Sequence, residues 1–153
     1  MKVIAALLVP FFVGCSMPGM SEDFGSPTAA IIKDVRLSEV VGSHSGTWSA
    51  ENDDTGTVAL KIEAQGTVTG EEREDGDKPV AKLTGTVSQD GKMDLICHYE
   101  GYRPDRVSGK FGKNTRGQLI AEVTFHHEHK TVEQVYFLKP STSGGLLSRT
   151  STK

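Results

Sequence analysis

Between Gly46 and Lys139, apolar side chains recur at every second residue, and that period leaves little choice of fold. Val58, Leu60 and Ile62 fall on one face, with Thr57, Lys61 and Glu63 on the other. Ala81, Leu83, Gly85 and Val87 repeat the arrangement, as do Leu119, Ala121, Val123 and Phe125 against Gln118, Glu122 and Thr124. A strand sends alternate residues to opposite faces, whereas a helix buries positions three and four apart. Turn residues separate these runs: Asn52 to Gly56, Ala64 to Gly66, Gln89 to Lys92 and Lys113 to Gly117. The pattern predicts strands at about 46–50, 57–64, 67–72, 80–88, 92–100, 105–111, 118–127 and 131–139. The fold class is therefore all-β: an antiparallel up-and-down meander of about eight strands, closed into a small barrel or, alternatively, packed as a compact sandwich. Such a barrel is either filled by its own side chains or holds one small ligand. The phrase Gly-Thr-Val or Gly-Thr-Trp recurs at Gly46, Gly56, Gly66 and Gly85, where Gly permits a turn and Thr and Val favour the pleat.

The residues outside this region read differently. Lys2 and the apolar run Val3 to Val13, ending in small residues, have the form of a secretory signal. Its end, Phe12-Val13-Gly14-Cys15, resembles the lipobox of bacterial lipoproteins, although Phe12 stands where that family prefers Leu. The resemblance implies removal of residues 1–14 and acylation of Cys15, which becomes the new N-terminus. Ser16 in the next position is similar to outer-membrane sorting signals. The expected location is thus the cell envelope, lipid-anchored at the outer membrane and facing the periplasm or the cell surface. Residues 15–43 are expected to be a linker: Ser16 to Thr28 is rich in Ser, Gly, Pro and Met. Within it, Ala29 to Val41 suits either a short amphipathic helix or an extra strand. Residues 44–139 form the barrel domain and residues 140–153 a flexible Gly/Ser-rich tail.

Ser45-Gly46-Thr47-Trp48, opening an eight-strand meander, resembles the first strand of the calycin barrels, the lipocalins and avidins. Thr69-Gly70 and Val132 to Lys139 extend the likeness to avidins. The resemblance implies that Trp48 is a structural plug under the closed end of the barrel. Biotin binding does not carry over. Ala50 stands where avidins have an Asn, Glu72 where they have a Tyr, and Trp48 is the only Trp in the chain. A buried site stripped of its hydrogen-bonding partners and stacking surface loses most of its affinity.

If Cys15 carries lipid, Cys97 has no partner for a disulfide within the chain. Cys97 shares a strand face with Met93, Leu95 and Tyr99, as a small buried hydrophobe would. His98 points to the other face, which excludes a thiolate–imidazole pair. The loop Tyr99 to Arg106 supplies Tyr99, Tyr102, Arg103 and Arg106, side chains enriched where ligands or partners dock. His126-His127-Glu128-His129 offers two imidazoles, His127 and His129, on one strand face as ligands for zinc, copper or nickel; the alternative is a solvated turn. Glu71 to Lys78 reads as a solvated acidic turn without calcium-loop spacing.

The whole chain has 17 Lys and Arg against 20 Asp and Glu, a net charge of −3 that argues against a nucleic-acid partner. No nucleophile elbow is present, and no cofactor motif is found. The expectation is a non-enzymatic envelope lipoprotein whose barrel binds a small apolar ligand. The alternatives are a protein-interaction module, such as a periplasmic enzyme inhibitor or envelope assembly factor, and metal binding through the histidines.

Overall fold

The computed structural model describes residues 29–76 and 78–141. Cys15, the signal segment, residues 16–28 and the tail beyond Ser141 lie outside the described residues. Nine strands and one helical turn follow in the order β1 (Lys33–Asp34), α1 (Leu37–Val40), β2 (Gly42–Ala50), β3 (Thr55–Ile62), β4 (Thr67–Glu74), β5 (Ala81–Val87), β6 (Lys92–Tyr99), β7 (Asp105–Lys113), β8 (Leu119–His126) and β9 (Thr131–Pro140). From β2 to β9 each strand pairs antiparallel with the next, and β9 also pairs with β2. The eight strands thus form a closed barrel, as the alternation predicts, and β1 adds a two-residue rung to β7.

Closure makes the period-two pattern an inside–outside code. Val58, Leu60 and Ile62 of β3 point inward, as do Ala81, Leu83 and Val87 of β5 and Met93, Leu95 and Cys97 of β6. Val107, Phe111, Ala121, Val123, Phe125, Tyr136 and Leu138 complete the interior. A second, smaller apolar cluster lies elsewhere, formed by Ile120, Val135, Phe137 and Ala29 with Ile31 packed against them. The last strand is apolar on both faces because each face is covered.

Residues 29–41 belong to the folded body rather than to the linker expected to run to residue 43. Both structures that the sequence offered for this segment occur, first the short strand β1 and then α1. Val35, Leu37 and Val40 are buried in the same core as the barrel strands. The Leu37 backbone N–H donates to the Gln89 carbonyl at 3.2 Å, and Arg36 N–H donates to a Glu39 carboxylate oxygen at 3.0 Å. His44 of β2 bonds the Val40 carbonyl through Nε2 at 2.8 Å. These contacts place α1 over the barrel end that carries the turns after β3, β5 and β7. The connections after β2, β4, β6 and β8 gather at the opposite end, which stays open.

Leu37→Ala should lower the unfolding free energy by about 2–4 kcal/mol, the ordinary loss for a buried leucine. Urea denaturation of the full chain measures it; an unchanged midpoint would mean that α1 does not seal the barrel.

Candidate functional site

The open end is a cavity of about 690 Å³. Its inner wall comes from inward positions near the strand ends: Trp48 and Ala50 of β2, Glu72 and Glu74 of β4, Tyr99 of β6, and Val132 and Gln134 of β9. Its rim comes from the connections: Asn52, Asp54, Lys78, Pro79, Tyr102, Arg103, Pro104, Glu128 and Lys130.

Trp48 stands two residues from the mouth end of β2, so α1 rather than Trp48 covers the closed end. Across the sheet Trp48 faces Gly56 of β3. A β-carbon at Gly56 would lie 2.6 Å from the indole Nε1, closer than packed atoms allow, so glycine is what lets the ring lie flat against β3. The Gly of the recurring phrase is here a strand residue that makes room for an aromatic ring, not a turn residue. Trp48 is 4% exposed, and its Nε1 has no hydrogen-bond partner among the described residues.

Glu72 is the feature that local sequence character hid. It is 2% exposed, whereas the run around it reads as a solvated turn. The register explains the burial. Val68, Gly70, Glu72 and Glu74 share the inward face of β4, and Glu72 pairs with Val58 on one side and Ala81 on the other. Tyr136, fully buried on β9, crosses the interior and donates its hydroxyl to Glu72 Oε2 at 2.6 Å. Gln134 stands beside the carboxyl and acts on it as a second side-chain donor. Burial pushes the Glu72 carboxyl up from 4.5 to about 7; the bonds from Tyr136 and Gln134 pull the other way, and the nearby Glu74 charge adds to the rise. Tyr136 in turn is driven well above the usual phenol range by burial and by the adjacent Glu72 charge.

Cys97 faces the interior and is fully buried, and its thiol is pushed up to about 12, first by burial and then by the Glu72 charge. It is an unreactive core residue, and exposed His98 lies on the other face, as strand geometry requires.

The loop residues divide. Tyr99, Tyr102 and Arg103 converge on the cavity, with Tyr102 71% exposed at its rim. Arg106 does not join them: it lies on the exposed face of β7, where Nε and Nη2 each donate to Asp94 at 3.0 Å. Strand β7 begins at Asp105, so Arg106 is a sheet residue whose direction alternation sets, not a loop residue.

The histidines are also separated. His126 Nε2 lies 2.8 Å from Ser108 Oγ, and His127 Nδ1 lies 2.8 Å from Asp105 Oδ2. His129 is exposed within the hairpin turn closed by the bond from His127 N–H to the Lys130 carbonyl. The extended geometry that would put His127 and His129 on one face ends at His126, where β8 stops. Among the described residues, no three His, Cys, Asp or Glu side chains are grouped to hold a metal ion.

No protein-family model matches this chain, and no curated protein matches it in sequence. The class it defines rests on its own geometry: a closed, eight-stranded antiparallel barrel, sealed by a helical turn at one end and open at the other.

A carboxyl that stays protonated to a higher pH when folded than when unfolded stabilises the fold below the unfolded value. That contribution is lost as pH rises through the folded value. Between 4.5 and about 7 the loss for Glu72 is about 3 kcal/mol. Glu72→Gln should therefore flatten the fall in stability between pH 5 and pH 8 and leave the variant more stable than the parent at pH 8. Urea melts across this range check it; parallel stability profiles for the two proteins would contradict the burial of the charge.

Proposed function

We propose that this protein is a non-enzymatic small-molecule carrier or sensor, whose mainly apolar ligand sits in the open end of the barrel. The cavity between Trp48, Tyr99 and Gln134 carries this reading: it is large enough for a drug-sized molecule, and it sets Trp48, Ala50, Tyr99 and Val132 among polar and charged side chains. The interior beneath it is filled by side chains, so the ligand is confined to the mouth. Two features complete the proposal from the sequence. Cys15, in its lipobox-like setting, anchors the chain by acyl groups to the bacterial outer membrane. The segment from Ser16 to Thr28 then spaces the barrel from the lipid surface.

A second reading uses the same end of the barrel. Tyr102 and Arg103 project from the β6–β7 connection, and the Arg103 side chain is 87% exposed and lies 3.7 Å from Glu128. An exposed Tyr–Arg pair is suited to docking an envelope protein.

Native mass spectrometry of the chain isolated from its own envelope should find a small-molecule adduct, and Val132→Trp, which fills the cavity mouth, should remove it. A parent protein without adduct, and without affinity for any apolar probe, would contradict the carrier reading. Crosslinking in the intact envelope tests the second reading. Capture of a partner protein that is lost with Tyr102→Ala and Arg103→Glu supports it, and capture unchanged by both excludes the loop. Labelled fatty acid should enter the parent chain and not Cys15→Ser; equal labelling would contradict the anchor.

A further inference from the structure

Resting on the carrier reading, we infer that the ligand bears a protonated amine, bound by the Glu72 carboxylate and the Gln134 side-chain oxygen at the base of the open-end cavity.

No basic group among the described residues is found to act on Glu72. Its hydrogen-bonding partners, Tyr136 and Gln134, are both neutral, and the charged group that acts on it is Glu74, of its own sign. The other groups that feel its charge are the buried Cys97 thiol and the Tyr99 phenol, which are acids as well. Three other carboxylates of the cavity have basic neighbours. Glu74 pairs with Lys78 at 3.2 Å, Glu128 with Arg103 at 3.7 Å, and Asp105 with His127 at 2.8 Å. The most buried acid of the cavity has no described base to compensate it. A buried carboxylate is costly unless a counter-charge reaches it, and here the open cavity is the route by which one arrives.

Gln134 is the independent observation. It is 7% exposed and lines the same cavity, and its Oε1 has no hydrogen-bond partner among the described residues. Its amide acts on Glu72 as a donor, so its acceptor stands beside a carboxylate. Two adjacent acceptors call for a group with several N–H donors, which an ammonium supplies and an anion or ether does not. The same two groups would leave a neutral hydrocarbon with nothing to match them.

The walls suit the rest of such a molecule. Trp48 and Tyr99 present aromatic surface, which attracts a cation as well as an apolar body. Trp48 Nε1, also without a hydrogen-bond partner among the described residues, remains available to a hydroxyl or carbonyl on the ligand. The predicted ligand class is therefore a small organic amine with an aromatic or aliphatic body.

Trp48 is the only tryptophan of the chain, so its fluorescence reports on the cavity without labelling. The full chain is titrated with 2-phenylethylamine and with 2-phenylethanol, which share a ring and differ in charge. The amine should bind at least about tenfold more tightly, the ordinary scale for a charged hydrogen bond. Glu72→Gln should bring the amine down to the affinity of the alcohol and leave the alcohol unchanged. Gln134→Met is the second variant, in case Glu72→Gln fails to fold, and should weaken the amine several-fold. Because the Glu72 carboxyl is held up at about 7, amine affinity should fall as the pH drops through that value, while alcohol affinity stays level. Equal affinity for the two probes, or discrimination that survives Glu72→Gln, would overturn the amine assignment and leave the carrier reading standing. If neither probe changes the fluorescence or gives heat in calorimetry, both readings fall.

Discussion

The pairing of β9 with both β8 and β2 is the constraint on which the rest of this structure depends. It turns a meander of hairpins into a closed ring and leaves the eight barrel strands no free edge. Once the ring is closed, each strand residue is committed to the interior or to the outer face, and a one-residue slip would invert the whole strand. The apolar positions of β3, β5, β6 and β8 then have only one place to go. The same commitment carries Glu72, Gln134, Trp48 and Tyr136 inward, whether or not their chemistry suits burial.

That commitment divides the interior into two regions. Toward α1 it is a packed apolar core, closed off by Leu37 and Val40. Toward the open end, Tyr136 reaches from β9 to Glu72 on β4 and separates the core from the cavity above it. A phenol bonded to a carboxyl is a costly way to fill space, since a pair of leucines would pack there without desolvating either group. The cost falls where the cavity is, and it keeps an acid at the base of the cavity with its charge unbalanced. Natural sequences break local rules of this kind most often at sites that do something else.

Most of the fold was legible in the sequence, and the site was legible only in part. The strand boundaries follow from alternation because each face of the barrel is chemically uniform over its apolar half. Residues 29–41 were ambiguous because α1 is a single turn and β1 has two residues, too short for either period to declare itself. Tyr99, Tyr102 and Arg103 were found because aromatic and guanidinium side chains cluster in one loop. Arg106 was grouped with them because its neighbours hid the point at which β7 begins. Glu72 was missed because its immediate neighbours are charged, and charge density reads as solvent. The signal was nevertheless present: extending the period of Val68 along β4 puts residue 72 inside. Trp48 was known to be buried, but which end of the barrel it occupies depends on which connections gather at the mouth, and only the closed topology shows that.

The base of the open end holds a buried acid whose charge no described residue neutralises. A site-resolved NMR titration of the Glu72 carboxyl carbon in the full chain tests it most directly. The account predicts a midpoint of about 7, moving to lower pH when 2-phenylethylamine is added. A midpoint near the ordinary 4.5, unmoved by the amine, would contradict it.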